Sequence, residues 1–150
     1  MSYTRHLQTY RQNHAATVDP GTLLILLYQG TIDFVRQARE SLERKNMADK
    51  GYYVLKALAI IAELRVSLNF EVGGEVALNL EQLYLFMCDQ ITIANVNNDS
   101  EPFTQVISLL TTLKEGWEEA IVAARRQGMV VAQRKQGSQE HHEHSFAARA

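Results

Sequence analysis

Only two prolines, Pro20 and Pro102, interrupt a chain of 150 residues, and eight glycines accompany them. Proline ends or kinks a helix, because it lacks an amide N–H and its ring meets the preceding turn. A chain with so few breakers is built from long uninterrupted elements, most simply helices. A β-sandwich would need turn signals every ~8–12 residues, and the sequence lacks them. The length is about one domain's worth of chain, enough to bury a core without staples.

Hydrophobic spacing places four helices. Asp19-Pro20 starts the first, with Asp19 as cap and Pro20 at the first helical position. Leu24, Leu27, Thr31, Phe34 or Val35, Ala38 and Leu42 then recur at helical spacing up to Arg44-Lys45-Asn46. The second helix is expected from about Ala48 to Phe70. Gly73-Gly74 is expected to separate it from a third, running from about Glu75 to Asn95. The stripe of that third helix is Val76, Leu80, Leu83, Tyr84, Met87, Ile91 and Ala94. Asn97-Asn98-Asp99-Ser100 reads as turn and cap. The fourth helix then carries Phe103, Val106, Leu110, Leu113, Trp117, Ala120 and Ala124, with Gly128 as its expected end. Tyr28, Tyr84 and Trp117 are expected in the core.

Short connections between long helices make neighbours antiparallel. The expected fold is therefore all-α, an up-down four-helix bundle over residues 19–130. An N-terminal arm, residues 1–18, precedes it, with Tyr3, Leu7 and Tyr10 spaced for one face of a short extra helix. Residues 131–150 are expected to be a flexible, disordered tail, since they hold little apolar content.

The net charge of −2 is no footprint for nucleic acid or an anionic membrane. Five of the cations (Arg125, Arg126, Arg134, Lys135 and Arg149) crowd the C-terminal segment, so a basic tail follows an acidic body. A single cysteine, Cys88, makes no internal disulfide and suits a reducing compartment. No apolar run reaches the ~18 residues that cross a bilayer, and no signal sequence opens the chain. A cytoplasmic location is expected.

Catalytic chemistry is missing from the pattern. A di-iron bundle needs inward Glu-x-x-His pairs, and no histidine lies between residues 15 and 140. That gap also removes a phosphorelay histidine. Nucleophile elbows and phosphate-cradling glycine loops are absent. Cys88 reads as a small buried hydrophobe. Glu140-His141-His142-Glu143-His144 is a loose set of metal ligands on a tail without supporting partners. No cofactor, no metal and no enzyme activity are expected.

What stands out is apolar excess. A bundle helix needs one stripe. The second helix has Val54, Ala57, Ile61, Leu64 and Leu68, and roughly opposite them Leu55, Ala59, Ala62 and Val66. On the third, Leu78, Leu85 and Ile93 fall outside the main stripe. A central position in the bundle, a homodimer interface or a groove for partner helices would each account for this. A self-associating helical adaptor for another amphipathic helix is therefore the alternative to any specific client.

An ordered set of motifs carries a resemblance. Tyr10-Arg-Gln-Asn, Asp19-Pro20-Gly-Thr-Leu-Leu and Leu27-Tyr28-Gln-Gly30 open it. Lys56-Ala57, Ile60-Ile61 and Glu63-Leu64 follow, then Gly73-Gly74-Glu75-Val-Ala77, Asn79-Leu80, Leu83-Tyr84 and Met87. Ala94-Asn95, Asn97-Asn98-Asp99 and Trp117 complete it. Over roughly residues 10–124 the chain resembles the flagellin-specific export chaperones, the FliS family. It departs from the family at Asp19, at Phe86 and Cys88 around Met87, and in its histidine-bearing tail.

The resemblance implies a cytosolic chaperone that binds the disordered C-terminal segment of flagellin. It would prevent premature polymerisation and deliver flagellin to the flagellar type III export apparatus. A component of the export gate and, in some members, an anti-sigma factor are further implied partners. Leu55, Ala59, Ala62, Val66, Leu78, Leu85 and Ile93 are the candidate client-binding residues. Asn95, Asn98 and Asp99 are candidates to bond the client's backbone, with turn and capping chemistry as the alternative. Leu7 and Tyr10 are candidates for docking at the export gate or covering the groove.

Overall fold

The computed structural model describes residues 19–147, except the side chains of residues 130, 131 and 136–147. Leu7, Tyr10 and the histidine-bearing tail side chains, for which the sequence raises expectations, lie outside the described residues. Among the described residues there are four helices and no strand: α1 (Pro20–Glu43), α2 (Met47–Val66), α3 (Phe70–Asn97) and α4 (Glu101–Ala147).

Local chemistry sets the helix starts. Asp19 accepts the Thr22 amide at 2.8 Å, and Pro20 occupies the first turn of α1, where a missing N–H costs nothing. Asn46 accepts the Asp49 amide at 3.1 Å and Asn69 the Val72 amide at 3.1 Å, capping α2 and α3. Arg44 ends α1, and Lys45, at φ 59°, reverses the chain into α2.

The chain divides into two units, Met1–Glu115 and Gly116–Ala150. In the first, α2 packs against both α1 and α3. A Cβ built on Gly30 of α1 would lie 3.5 Å from Ile60 of α2, and Phe34 stacks near Tyr53, so these two helices are antiparallel. Lys50 reaches Asn95, and Arg65 reaches Glu81, so α2 and α3 are antiparallel as well. Arg39 donates to Thr104 and Lys114 to Gln29, which runs the start of α4 antiparallel to α1. The first unit is the expected up-down bundle. Its core holds Tyr28, Ile32 and Val35 of α1, Val54, Ala57, Ile61 and Leu64 of α2, Tyr84, Met87 and Ile91 of α3, and Phe103, Val106 and Leu110 of α4. The buried hydroxyls of Tyr28 and Tyr84 hydrogen-bond to each other and fix α1 against α3. The second unit is the remainder of α4.

Four sequence expectations need correction. The α2–α3 connection is Ser67-Leu68-Asn69 rather than Gly73-Gly74, because the Asn69 cap starts a turn at Phe70. The glycine pair instead kinks α3: Gly74 sits at φ 51°, ψ −123°, and a Cβ on Gly73 would lie 2.9 Å from that of Ala77. Just beyond the kink, Ala77 faces the core, while Val76 is 61% exposed. On α4, Trp117 is only half-buried, and Ala120 and Ala124 are exposed. Finally, α4 continues past Gly128 to Ala147, where a disordered tail was expected. No proline follows Pro102 to stop the helix.

Candidate functional site

The two helices with surplus apolar residues turn that surplus outward. On α2, Lys50, Val54, Ala57, Ile61 and Leu64 are buried. Steps of three and four from Leu55 reach Ala59, Ala62 and Val66, which places all four on the opposite side. Leu55 is 54% exposed, Val66 82%, Ala62 is exposed and Ala59 half-buried. On α3, Ala77, Leu80, Tyr84, Met87, Ile91 and Ala94 are buried, while Leu78, Leu85 and Ile93 lie outward, each 41% exposed or more. The bundle core therefore does not use the second stripe of either helix.

These outward stripes flank the seam between two antiparallel neighbours. Arg65 and Glu81 bridge the seam at 3.7 Å. Both side chains are more than a third exposed, so the pair adds little stability. Cys88 lies half-buried beside them. Burial raises its thiol pKa, Arg65 lowers it and Asp89 raises it. A thiol held protonated is a poor nucleophile, which fits a packing role.

The pattern reading stopped short of the full extent of the apolar face. Tyr52, three residues before Leu55, prolongs the α2 stripe and is 45% exposed. Its ring takes the Lys56 ammonium at 4.8 Å from the centroid. Phe86 and Val96 widen the α3 face, and Phe70 and Val72 add exposed apolar surface at the α2–α3 corner. Tyr52 was legible from its spacing. Phe70 and Val72 were not, because the glycine pair had been read as a connector.

The polar candidates stand in a different setting. The Asn95 carbonyl accepts from Lys50 Nζ at 2.9 Å, and Asn98 Oδ1 accepts from the same ammonium. Asn98 caps α3 in the left-handed conformation. Asp99 Oδ1 accepts the Glu101 amide at 3.1 Å. Turn and capping chemistry thus engages all three positions in the free protein. Among the described residues, no group of three or more His, Cys, Asp or Glu is placed to hold a metal ion. None of the described helices is long and apolar enough to cross a membrane.

The surface is apolar along both stripes, with the Arg65–Glu81 pair across the seam between them. Such a surface can take up the apolar side of an amphipathic segment without bond chemistry. Comparison with known proteins agrees with a binding role. The family model for flagellar protein FliS matches residues 3–124. The flagellar secretion chaperone FliSB of Pseudomonas aeruginosa is 36% identical over 114 residues, covering 76% of this chain and 90% of the relative. The flagellar secretion chaperone FliS of Vibrio cholerae is 35% identical over 117 residues, covering 75% and 86%. A solved structure described as a flagellar chaperone from bacteria superposes with a TM-score of 0.66 at 24% identity, over 80% of this chain and 98% of that one.

Proposed function

The chain belongs to the flagellar protein FliS family, and from that membership we propose that its outer α2–α3 face holds the disordered C-terminal segment of flagellin. The family is one of secretion chaperones rather than enzymes, and a role in flagellar export follows from membership. The observation that carries the finer reading is the unused stripe Leu55, Ala59, Ala62 and Val66, set beside Leu78, Leu85 and Ile93 on an antiparallel neighbour. Two alanines at the middle of the α2 stripe let a client backbone come close, while Leu55 and Val66 grip at the ends.

Physical chemistry favours a disordered client. A segment that folds as it binds covers a large surface, and its ordering entropy holds the affinity down. Flagellin kept this way does not polymerise early and is still released to the type III export apparatus. The work takes place in the cytoplasm. The arm with Leu7 and Tyr10 docks at the export gate or covers the face, and an anti-sigma factor is a further partner in some members of the family. Asn95, Asn98 and Asp99 border the face and bond the client only where their capping partners leave an atom free.

The experiment mixes the full chain with a peptide from the C-terminal end of its own organism's flagellin and follows both by sedimentation. A one-to-one complex at micromolar concentration is expected. A stable homodimer that the peptide leaves unchanged contradicts the proposal and supports a self-associating adaptor.

A further inference from the structure

Lys50 is 6% exposed, and lysine is almost never so buried without a partner. Its ammonium donates to the Asn95 carbonyl at 2.9 Å and to Asn98 Oδ1 at 2.5 Å, both neutral acceptors. The two nearby acids are turned elsewhere: Asp49 takes the Asn46 side-chain amide at 2.8 Å, and Asp99 caps Glu101. What offsets the charge is the end of α3, where the last carbonyls lack helical partners and the helix dipole is negative.

We propose that Lys50 is a latch on the α3–α4 turn, and that releasing it opens this turn while the rest of the bundle, anchored beside it by buried Phe103, stays closed. The inference is independent of the client reading. Asn98 holds φ 51°, ψ 45°, a conformation that costs a residue with a Cβ and needs support. The support is a single side chain from the first turn of α2. It grips the helix end through Asn95 and the reversing residue through Asn98. Within the turn itself, the Asn98 and Asp99 amides both donate to the Ala94 carbonyl and Asp99 Oδ1 accepts the Glu101 amide, local bonds that do not tie the turn to α2. Past the turn, the exposed contact from Arg39 to Thr104, at 3.2 Å, is a weak tie to α1, and buried Phe103 is the firm anchor. Between Ala94 and Pro102 no side chain of the turn is buried, and a stretch with few buried apolar contacts is what opens locally.

Hydrogen exchange of the full chain, read by mass spectrometry, tests the latch in Lys50→Met, in Asn98→Gly and in the double variant. Glycine accepts the left-handed conformation, so Asn98→Gly removes the acceptor oxygen without backbone strain. Each single variant should exchange about tenfold faster or more over residues 95–101, with no change around Tyr28 and Tyr84. The double variant should exchange no faster than the worse single one, because both changes break the same contact. Acceleration spread evenly over the bundle, additive effects in the double variant, or no acceleration each overturn the latch. If Lys50→Met fails to fold, the exchange pattern of Asn98→Gly decides alone.

Discussion

Replacing Ala62 by glutamate separates a client-binding face from a core face. Ala62 is exposed, in the outward stripe of α2, one step of three before Arg65. In the free protein the new carboxylate remains in water. Glutamate costs no more than a few tenths of a kcal/mol of helix propensity against alanine, and an exposed change of this kind stays within about 0.5 kcal/mol. In the complex the carboxylate lies under an apolar client. Burying a charge costs several kcal/mol even after relaxation, the one cation close along the helix, Arg65, is already paired with Glu81 at 3.7 Å, and about 2.7 kcal/mol is already a factor of 100 in affinity. Calorimetric titration with the flagellin C-terminal peptide should show at least that loss, with the helical melt unchanged. Gln37→Glu adds the same charge to an exposed position on α1 and should leave affinity within about twofold. The reasoning is refuted if Ala62→Glu binds like the parent. It is refuted equally if the variant unfolds, because Ala62 would then belong to the core.

Three further predictions concern the scaffold. Tyr84→Phe removes one hydroxyl of the buried Tyr28–Tyr84 pair and should cost about 1–3 kcal/mol in urea unfolding; adding Tyr28→Phe should cost less than the two single changes summed. Burial pushes the Tyr84 pKa above the ordinary tyrosine value, and Tyr28 beside it raises it further. Above pH ~10 the unfolded chain gives up this proton and the folded chain keeps it, so stability is complete below that pH and falls as pH rises beyond it; ultraviolet titration should show one tyrosine ionising only on unfolding. Gly51→Ala and Gly74→Ala both add a methyl into open space. Thermal melts should nevertheless show the first stabilising by about 0.5–1 kcal/mol and the second destabilising by about 1–3 kcal/mol, since φ 51° with ψ −123° suits glycine alone.

The parts of the fold that were legible in the sequence were those with a local cause. Asp19-Pro20 marks the start of α1 through its own side chains, and the spacing of Leu80, Tyr84, Met87 and Ile91 repeats the core period. The Gly73-Gly74 pair misled because its composition marks a break without saying whether the break lies between helices or within one. The cap on Asn69, not the glycines, decides that. Trp117 misled because periodicity shows which side of a helix is apolar, not how far along that side is covered. The same limit applied to the surplus on α2 and α3. Spacing showed two stripes on α2, and only the packing shows that Leu55, Ala62 and Val66 remain outside. Lys50 could not be found from sequence at all, since its acceptors lie 45 and 48 residues away on another helix.

The most direct test of the central claim is a hydrogen-exchange footprint of the bound flagellin segment on the intact chain. The account predicts new protection along α2 from Tyr52 to Val66 and along α3 from Leu78 to Ile93, with α1 unchanged. Protection confined to α1, or to α4 beyond residue 115, would contradict it.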